Sequence, residues 1–217
     1  MIIKSEKIHE FISLTSLKGI DLDLKFLKGV KYACNFFSFD DLTDNNIKNY
    51  DMNQVTISDF FLFNTMGNDL DFIKNLDTSR LDSMSFFIKN DDITKIDISK
   101  WDKTNIRNIV YSFQYCSSLR YADLSGYVKV VSNCAFHGLF LSSKSLEAIN
   151  IKGWDFSSTI YDSSCLPPGE TQIIFDQSLL SSVMIYIDGN MYKYLDKIKK
   201  FFQVEYDYQF TLAQWKY

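Results

Sequence analysis

The sequence predicts an α/β solenoid, built from one short strand and one short helix per repeat and closed by a C-terminal β-α-β cap. The first observation is an aliphatic residue followed three positions later by a large apolar one, at Ile47/Tyr50, Ile73/Leu76, Ile98/Trp101, Leu124/Tyr127 and Ile151/Trp154. The second members recur 26, 25, 26 and 27 residues apart. A unit of that length is one supersecondary module too small to bury its own apolar face, so modules must stack. The second observation is a double periodicity inside each unit, and the third is a change of pattern after the last regular repeat.

The fullest unit runs from Trp101 to Tyr127. Its Ile106, Ile109, Phe113 and Cys116 stand at i, i+3, i+7 and i+10, the spacing of one helix face. Ala122-Asp123-Leu124-Ser125 alternates apolar and polar, as a half-buried strand does. Asp102-Lys103-Thr104-Asn105 lies between anchor and helix, where short polar side chains bond nearby backbone N–H groups, so it reads as a capping turn. Neighbouring units keep the order: Leu81, Met84, Phe87 and Ile88 precede Ile96-Asp97-Ile98, and a later unit ends Ile149-Asn150-Ile151. The opening acid recurs as Asp51, Asp77, Asp102 and Asp155, with Val128 breaking the column. Leu22-Asp23-Leu24 and the stripe Val30, Ala33, Cys34 and Phe37 suggest an earlier, worn unit. Ile160 reads as the start of another, which Pro167-Pro168-Gly169 cuts short.

The string from Ile96 to Leu119, with Ile96-Asp97-Ile98-Ser99-Lys100-Trp101-Asp102-Lys103-Thr104-Asn105-Ile106 leading to Phe113-Gln114-Tyr115-Cys116-Ser117-Ser118-Leu119, resembles the BspA-like leucine-rich-repeat module. That module reads L-D-L-S-x-W-D-T-S-x-V-x-x-M-x-x-M-F-x-x-C-x-x-L. The likeness covers roughly half of the chain and implies a leucine-rich-repeat-like fold. It also implies an interaction scaffold rather than an enzyme, since such proteins are commonly bacterial surface proteins acting in adhesion or protein binding.

The expected organisation is an N-terminal cap over residues 1–26, the repeat solenoid over 27–169, and a C-terminal cap or small appended module over 170–217. Ser5 with Ile8, Phe11, Ile12 and Leu14 reads as a short amphipathic helix. Met191, Tyr194, Leu195, Ile198, Phe201 and Phe202 form a second helical stripe, flanked by strands at 182–187 and 204–210. Caps are needed because terminal repeats otherwise expose their stacking faces.

Composition narrows the function classes. A hydrophobic content of 46% with 16% aromatics supports a packed core, so the chain is not disordered. A net charge of −4, with Arg80, Arg107 and Arg120 the only arginines, argues against nucleic acid and anionic membranes as partners. No stretch approaches the about 18 apolar residues of a membrane span. No hydrophobic leader is apparent, so the expected location is cytoplasmic, while the family likeness allows a cell surface if a signal was removed. Cys34, Cys116, Cys134 and Cys165 have no C-x-x-C spacing and read as small buried hydrophobes, with a Cys116–Cys134 disulfide between repeats as the alternative.

No catalytic, cofactor-binding or metal-binding constellation emerges. His9 and His137 lie far apart in sequence, and there is no G-x-S-x-G elbow or glycine-rich phosphate loop. The recurring Asp column admits a calcium ladder, but each Asp precedes an expected helix start, where capping accounts for it. The Lys193 to Lys200 stretch reads as the wet face of its helix. What remains is the outward side of the strands, where Lys95, Asp97, Ser99, Tyr121, Asp123, Ser125, Asn150 and Lys152 should form adjacent rows for a protein partner. The expected function is non-enzymatic protein binding. Alternatives are a structural subunit of a larger assembly, or an inhibitor encoded by a virus or mobile element that blocks a host complex. Self-association stays open.

Overall fold

The computed structural model describes residues 7–9, 12–13, 21–23, 30–35, 37–38, 41, 46–48, 52–67, 70–162, 183–202 and 209–217. The architecture is mixed α/β, dominated by short parallel strands, with one α-helix among the described residues. Each strand pairs with one lying about a repeat later. Thus β1 (Lys7–His9) pairs with β4 (Tyr32–Cys34), β2 (Ile12–Ser13) with β5 (Phe37–Ser38), and β3 (Asp21–Asp23) with β6 (Asn46–Lys48). Further on, β7 (Leu62–Phe63) pairs with β8 (Ile88–Lys89), and β11 (Val128–Lys129) with β13 (Trp154–Asp155). A five-stranded sheet joins β9 (Lys95–Asp97), β10 (Tyr121–Asp123), β12 (Ala148–Asn150), β14 (Met184–Tyr186) and β15 (Gln209–Thr211), all parallel and in that spatial order.

Parallel neighbours need a return connection, and here the rest of each repeat supplies it. The register places Ile96, Ala122, Ile149, Ile185 and Phe210 side by side. The first four are buried, which is why the central position of each strand is apolar. The core continues through Phe61, Phe87, Phe113 and Phe140, one from each successive turn of the chain. Phe61 stacks on Phe87 at 5.2 Å between centroids, and Phe113 on Phe140 at 5.6 Å. Aromatic burial therefore joins neighbouring repeats at these two places.

The helix expected within each repeat does not form. Ile106, Ile109, Phe113 and Cys116 are all buried, but they lie in a chain of tight turns. Backbone N–H groups of Ile109, Tyr111, Phe113 and Tyr115 donate forward, to the carbonyls of Ala135, His137, Leu139 and Leu141 in the next repeat, at 2.8 to 2.9 Å. Pairing between repeats thus replaces the i→i−4 bonds of a helix. Positive φ at Tyr111 (55°) and Tyr115 (55°) rules out helical continuation. The same conformation recurs at Asn35, Phe60, Phe86 and Gly138.

Three other expectations are corrected. The amphipathic N-terminal helix is not found, because its described residues form β1 and β2, which extend the parallel pairing. Tyr127 is not a buried anchor: it is 49% exposed, while Val128 is buried and pairs with Trp154. An extra residue at Gly126-Tyr127 shifts the anchor by one, so Lys129 occupies the Asp column opposite Asp155. The recurring Asp residues cap turns, not helices: Asp77 accepts from Ser79 N–H, Asp102 from Thr104 N–H and Oγ1, and Asp155 from Ser157 N–H. Asp51 lies outside the described residues.

The C-terminal β-α-β reading is matched by β14, a 3₁₀ turn at Gly189–Tyr194, α1 (Leu195–Phe201) and β15. It extends the repeat sheet, since β14 pairs directly with β12. Phe201 of α1 packs against Phe136, Trp154 and Phe156 and covers the end of the apolar core. The expected strand stretch 204–208 lies outside the described residues, as do residues 163–182.

Cysteine chemistry also differs from expectation. Cys116 is a free, fully buried thiol whose pKa burial pushes up to about 12, so no Cys116–Cys134 bridge exists. Cys134 is disulfide-bonded, against its reading as a simple buried hydrophobe.

Candidate functional site

Side chains flanking the buried centre of each strand emerge on the opposite side of the sheet. They form two rows, Lys95, Tyr121, Ala148 and Met184 in one, and Asp97, Asp123, Asn150, Tyr186 and Thr211 in the other. The sheet register places five of the eight expected residues, Lys95, Tyr121, Asp97, Asp123 and Asn150, in these rows, while Ser99, Ser125 and Lys152 lie just after the strands.

The second row is largely engaged in holding the turns after the strands. Asp97 Oδ1 accepts from Ser99 N–H at 3.0 Å and from Ser99 Oγ at 2.7 Å. Asp123 Oδ1 accepts from Ser125 N–H, Ser125 Oγ and Asn150 Nδ2, at 3.1, 2.7 and 3.0 Å. Asn150 Oδ1 in turn accepts from Lys152 N–H. Burial alone would raise the Asp97 carboxyl, but the Ser99 bonds, with Lys74 and Lys95 nearby, bring it below the usual carboxylate value. Asp123 and Asn150 are buried. Five of the eight expected residues, Asp97, Ser99, Asp123, Ser125 and Asn150, thus serve the fold first.

Lys95, Tyr121 and Lys152 are different. Lys95 is exposed on β9, the last strand of this sheet among the described residues. Tyr121 Oη donates to Glu147 Oε2 at 2.8 Å, and Arg120 Nε meets Glu147 Oε1 at 2.6 Å. The Arg120 and Tyr121 hydrogen bonds hold the Glu147 carboxyl below its ordinary value, and the bond to Glu147 raises the Tyr121 hydroxyl. The Arg120 guanidinium lies 5.2 Å from the centre of the Tyr121 ring, a cation–π contact. Lys152 Nζ reaches out to the carbonyl of Ala213 at 2.7 Å.

The face carries aromatic rings with charged partners beside them. Tyr186 contributes a buried ring beside it, and Trp215 and Tyr217 lie over it. A family model described as "Mycoplasma protein of unknown function, DUF285" matches residues 31–154, more than half of the sequence. The chain belongs to the DUF285 family. No curated protein and no solved structure matches it. The DUF285 match covers β4 to β12 and reaches Trp154, so it includes Lys95, Tyr121 and Lys152 but not Tyr186 or residues 212–217.

Among the described residues of this DUF285 chain, no group of three or more His, Cys, Asp or Glu side chains could hold a metal ion, and no helix is long and apolar enough to cross a membrane. His137 is buried with its ring edge-to-face on Tyr111, at 5.2 Å. Sequence reading missed Arg120, Glu147, Tyr186, Trp215 and Tyr217. Arg120 and Glu147 each sit one residue before a strand and could have been found by aligning strand starts. Lys103, placed by the sequence in a capping turn, is buried, its Nζ donating to the carbonyls of Trp101 and Ser125 at 3.2 and 2.7 Å.

Proposed function

We propose that this chain is a non-enzymatic protein-binding module, a BspA-like leucine-rich-repeat solenoid that meets a protein partner through the outward face of its parallel sheet. The observation that carries the reading is the division of that face: Asp97, Asp123 and Asn150 brace the turns, leaving Lys95 and Tyr121 side by side on adjacent strands and Lys152 in the turn after β12 as the outward groups. A stacked sheet presents such groups at little ordering cost, which favours recognition. The Tyr121 ring, braced by Arg120 and Glu147, is the central anchor and the lysines form the margin.

The test is affinity capture from the source organism, with identification by mass spectrometry, comparing wild type with the triple variant Lys95→Glu, Tyr121→Ala, Lys152→Glu. Capture of the same proteins in equal yield by both would remove the face from consideration. A second reading, self-association, is favoured by β15, which ends the five-stranded sheet with no further strand beside it among the described residues. Light scattering that shows a monomer at every concentration would exclude it.

A further inference from the structure

The outward face is already occupied. After β15 the chain turns, with Ala213 N–H donating to Thr211 Oγ1 at 3.1 Å, and residues 212–217 run back across the sheet. Lys152 Nζ holds the Ala213 carbonyl at 2.7 Å. Trp215 stands edge-on to Tyr186, with centroids 5.0 Å apart and planes at 88°. Tyr217 crosses further and lies flat on Tyr121, at 4.2 Å and 8°. It also meets Tyr186 edge-on at 6.3 Å. Between Tyr121 and Met184 the row carries only Ala148, so a small side chain forms the floor under this segment.

The contacts are those of a bound peptide more than of a core element. Leu212, Ala213, Gln214 and Lys216 are exposed, and Tyr217 remains 37% exposed. Recognition comes from two rings one residue apart and from one lysine on a backbone carbonyl. An extended chain places side chains i and i+2 on the same side, which suits this spacing.

Building on the binding reading above, we propose that the face of β10, β12 and β14 is a groove for an extended peptide with two aromatic residues one apart, and that residues 212–217 are its intramolecular occupant. The partner is then a protein with an exposed aromatic-x-aromatic strand segment, and it binds by displacing Trp215 and Tyr217 from Tyr186 and Tyr121. A covered site binds an external ligand more weakly, in proportion to the fraction of molecules in which it is open.

The experiment uses the full chain and a fluorophore-labelled, end-blocked Leu-Ala-Gln-Trp-Lys-Tyr peptide, read by fluorescence anisotropy. The variant Trp215→Ala/Tyr217→Ala is expected to bind the peptide about tenfold or more tighter than wild type. Adding Tyr121→Ala or Lys152→Met to that variant is expected to return binding to the wild-type level or below. Equal binding by wild type and the double variant, or indifference to Tyr121→Ala, overturns the proposal. A second measurement needs no variant: saturating peptide should speed amide hydrogen exchange at residues 212–217 of the wild type, and unchanged exchange overturns the displacement. These outcomes are separable from the broader reading. Failure of the peptide while the triple face variant still loses its captured partner rejects the occupant but keeps the face.

Discussion

Trp101 Nε1 donates a 2.7 Å hydrogen bond to the carbonyl oxygen of Ile73, one repeat earlier, and Trp154 Nε1 makes the equivalent bond to Leu124 at 2.9 Å. The recurring anchor is therefore a joint: its ring fills the core while its one polar atom satisfies the backbone of the preceding repeat. Trp154→Phe should cost about 1–3 kcal/mol, because it removes the buried carbonyl's indole donor. Tyr127→Ala, at the position with anchor-like spacing but an exposed ring, should stay within about 0.5 kcal/mol of wild type. Urea unfolding of the two variants checks the contrast, and equal losses would show that Tyr127 is a joint after all.

Gly138 has φ of +64°, and a Cβ there would lie 2.2 Å from the Tyr111 ring. Phe60, Phe86 and Tyr111 form a ladder of rings over successive repeats, at 4.6 and 5.0 Å, and Gly138 leaves room for its last rung. Gly138→Ala should be destabilising by about 1–2 kcal/mol from conformation alone, with the ring clash added. In a Tyr111→Ala background the same change should lose only the conformational part. A double-mutant cycle by urea unfolding measures the difference, and strict additivity would contradict the steric account.

The strands were legible in the sequence from alternation and repeat spacing: Ile96 stands between Lys95 and Asp97 and Ala122 between Tyr121 and Asp123, while Ile149, between Ala148 and Asn150 in a strand buried throughout, is placed by the repeat. The repeats' supposed helices were misread for a definite reason. Spacing of i, i+3, i+7 and i+10 is also produced by consecutive tight turns whose backbones pair with the next repeat, as at Ile106, Ile109, Phe113 and Cys116. A signal was present in the column Asn35, Phe60, Phe86, Tyr111 and Gly138, where Asn and Gly mark a left-handed backbone that the aromatics must share. On the candidate face, Tyr121 and Lys152 were readable from alternation. The landing of Tyr217 on Tyr121 was not, because it joins residues far apart in sequence with no periodic relation.

Asp123 and Lys152 separate the structural and the interacting parts of the face. Asp123→Ala removes the acceptor for Ser125 N–H, Ser125 Oγ and Asn150 Nδ2, and should cost about 1–3 kcal/mol for each donor left buried and unpaired. Asp123→Asn keeps an acceptor oxygen and should recover much of the loss. Lys152→Met should alter stability by less than about 0.5 kcal/mol while weakening the hold on residues 212–217. Thermal unfolding together with amide exchange of 212–217 tells these apart. If Lys152→Met leaves that exchange unchanged, the lysine does not hold the segment.

Lys103 gives the fold a pH dependence whose sign can be worked out. Burial lowers its pKa from 10.5 to about 8, against the opposing pull of Asp123, Asp97 and Asp102. Between pH 8 and 10.5 the unfolded chain holds a proton that the folded chain has released, so this group makes stability rise with pH across that window. Below pH 8 the folded state carries a buried ammonium, and the contribution is at its least favourable. Cys116 acts in the other direction, since its thiol rises from 9.0 to about 12 on burial and its contribution falls as pH climbs through that range. The informative quantity is thus the difference between wild type and Lys103→Met, in which Cys116 cancels. Urea unfolding at a series of pH values from 7 to 10.5 should show wild type gaining on Lys103→Met above pH 8. Parallel profiles would mean that the ammonium, held by the carbonyls of Trp101 and Ser125, keeps its proton in the folded chain as readily as in the unfolded one.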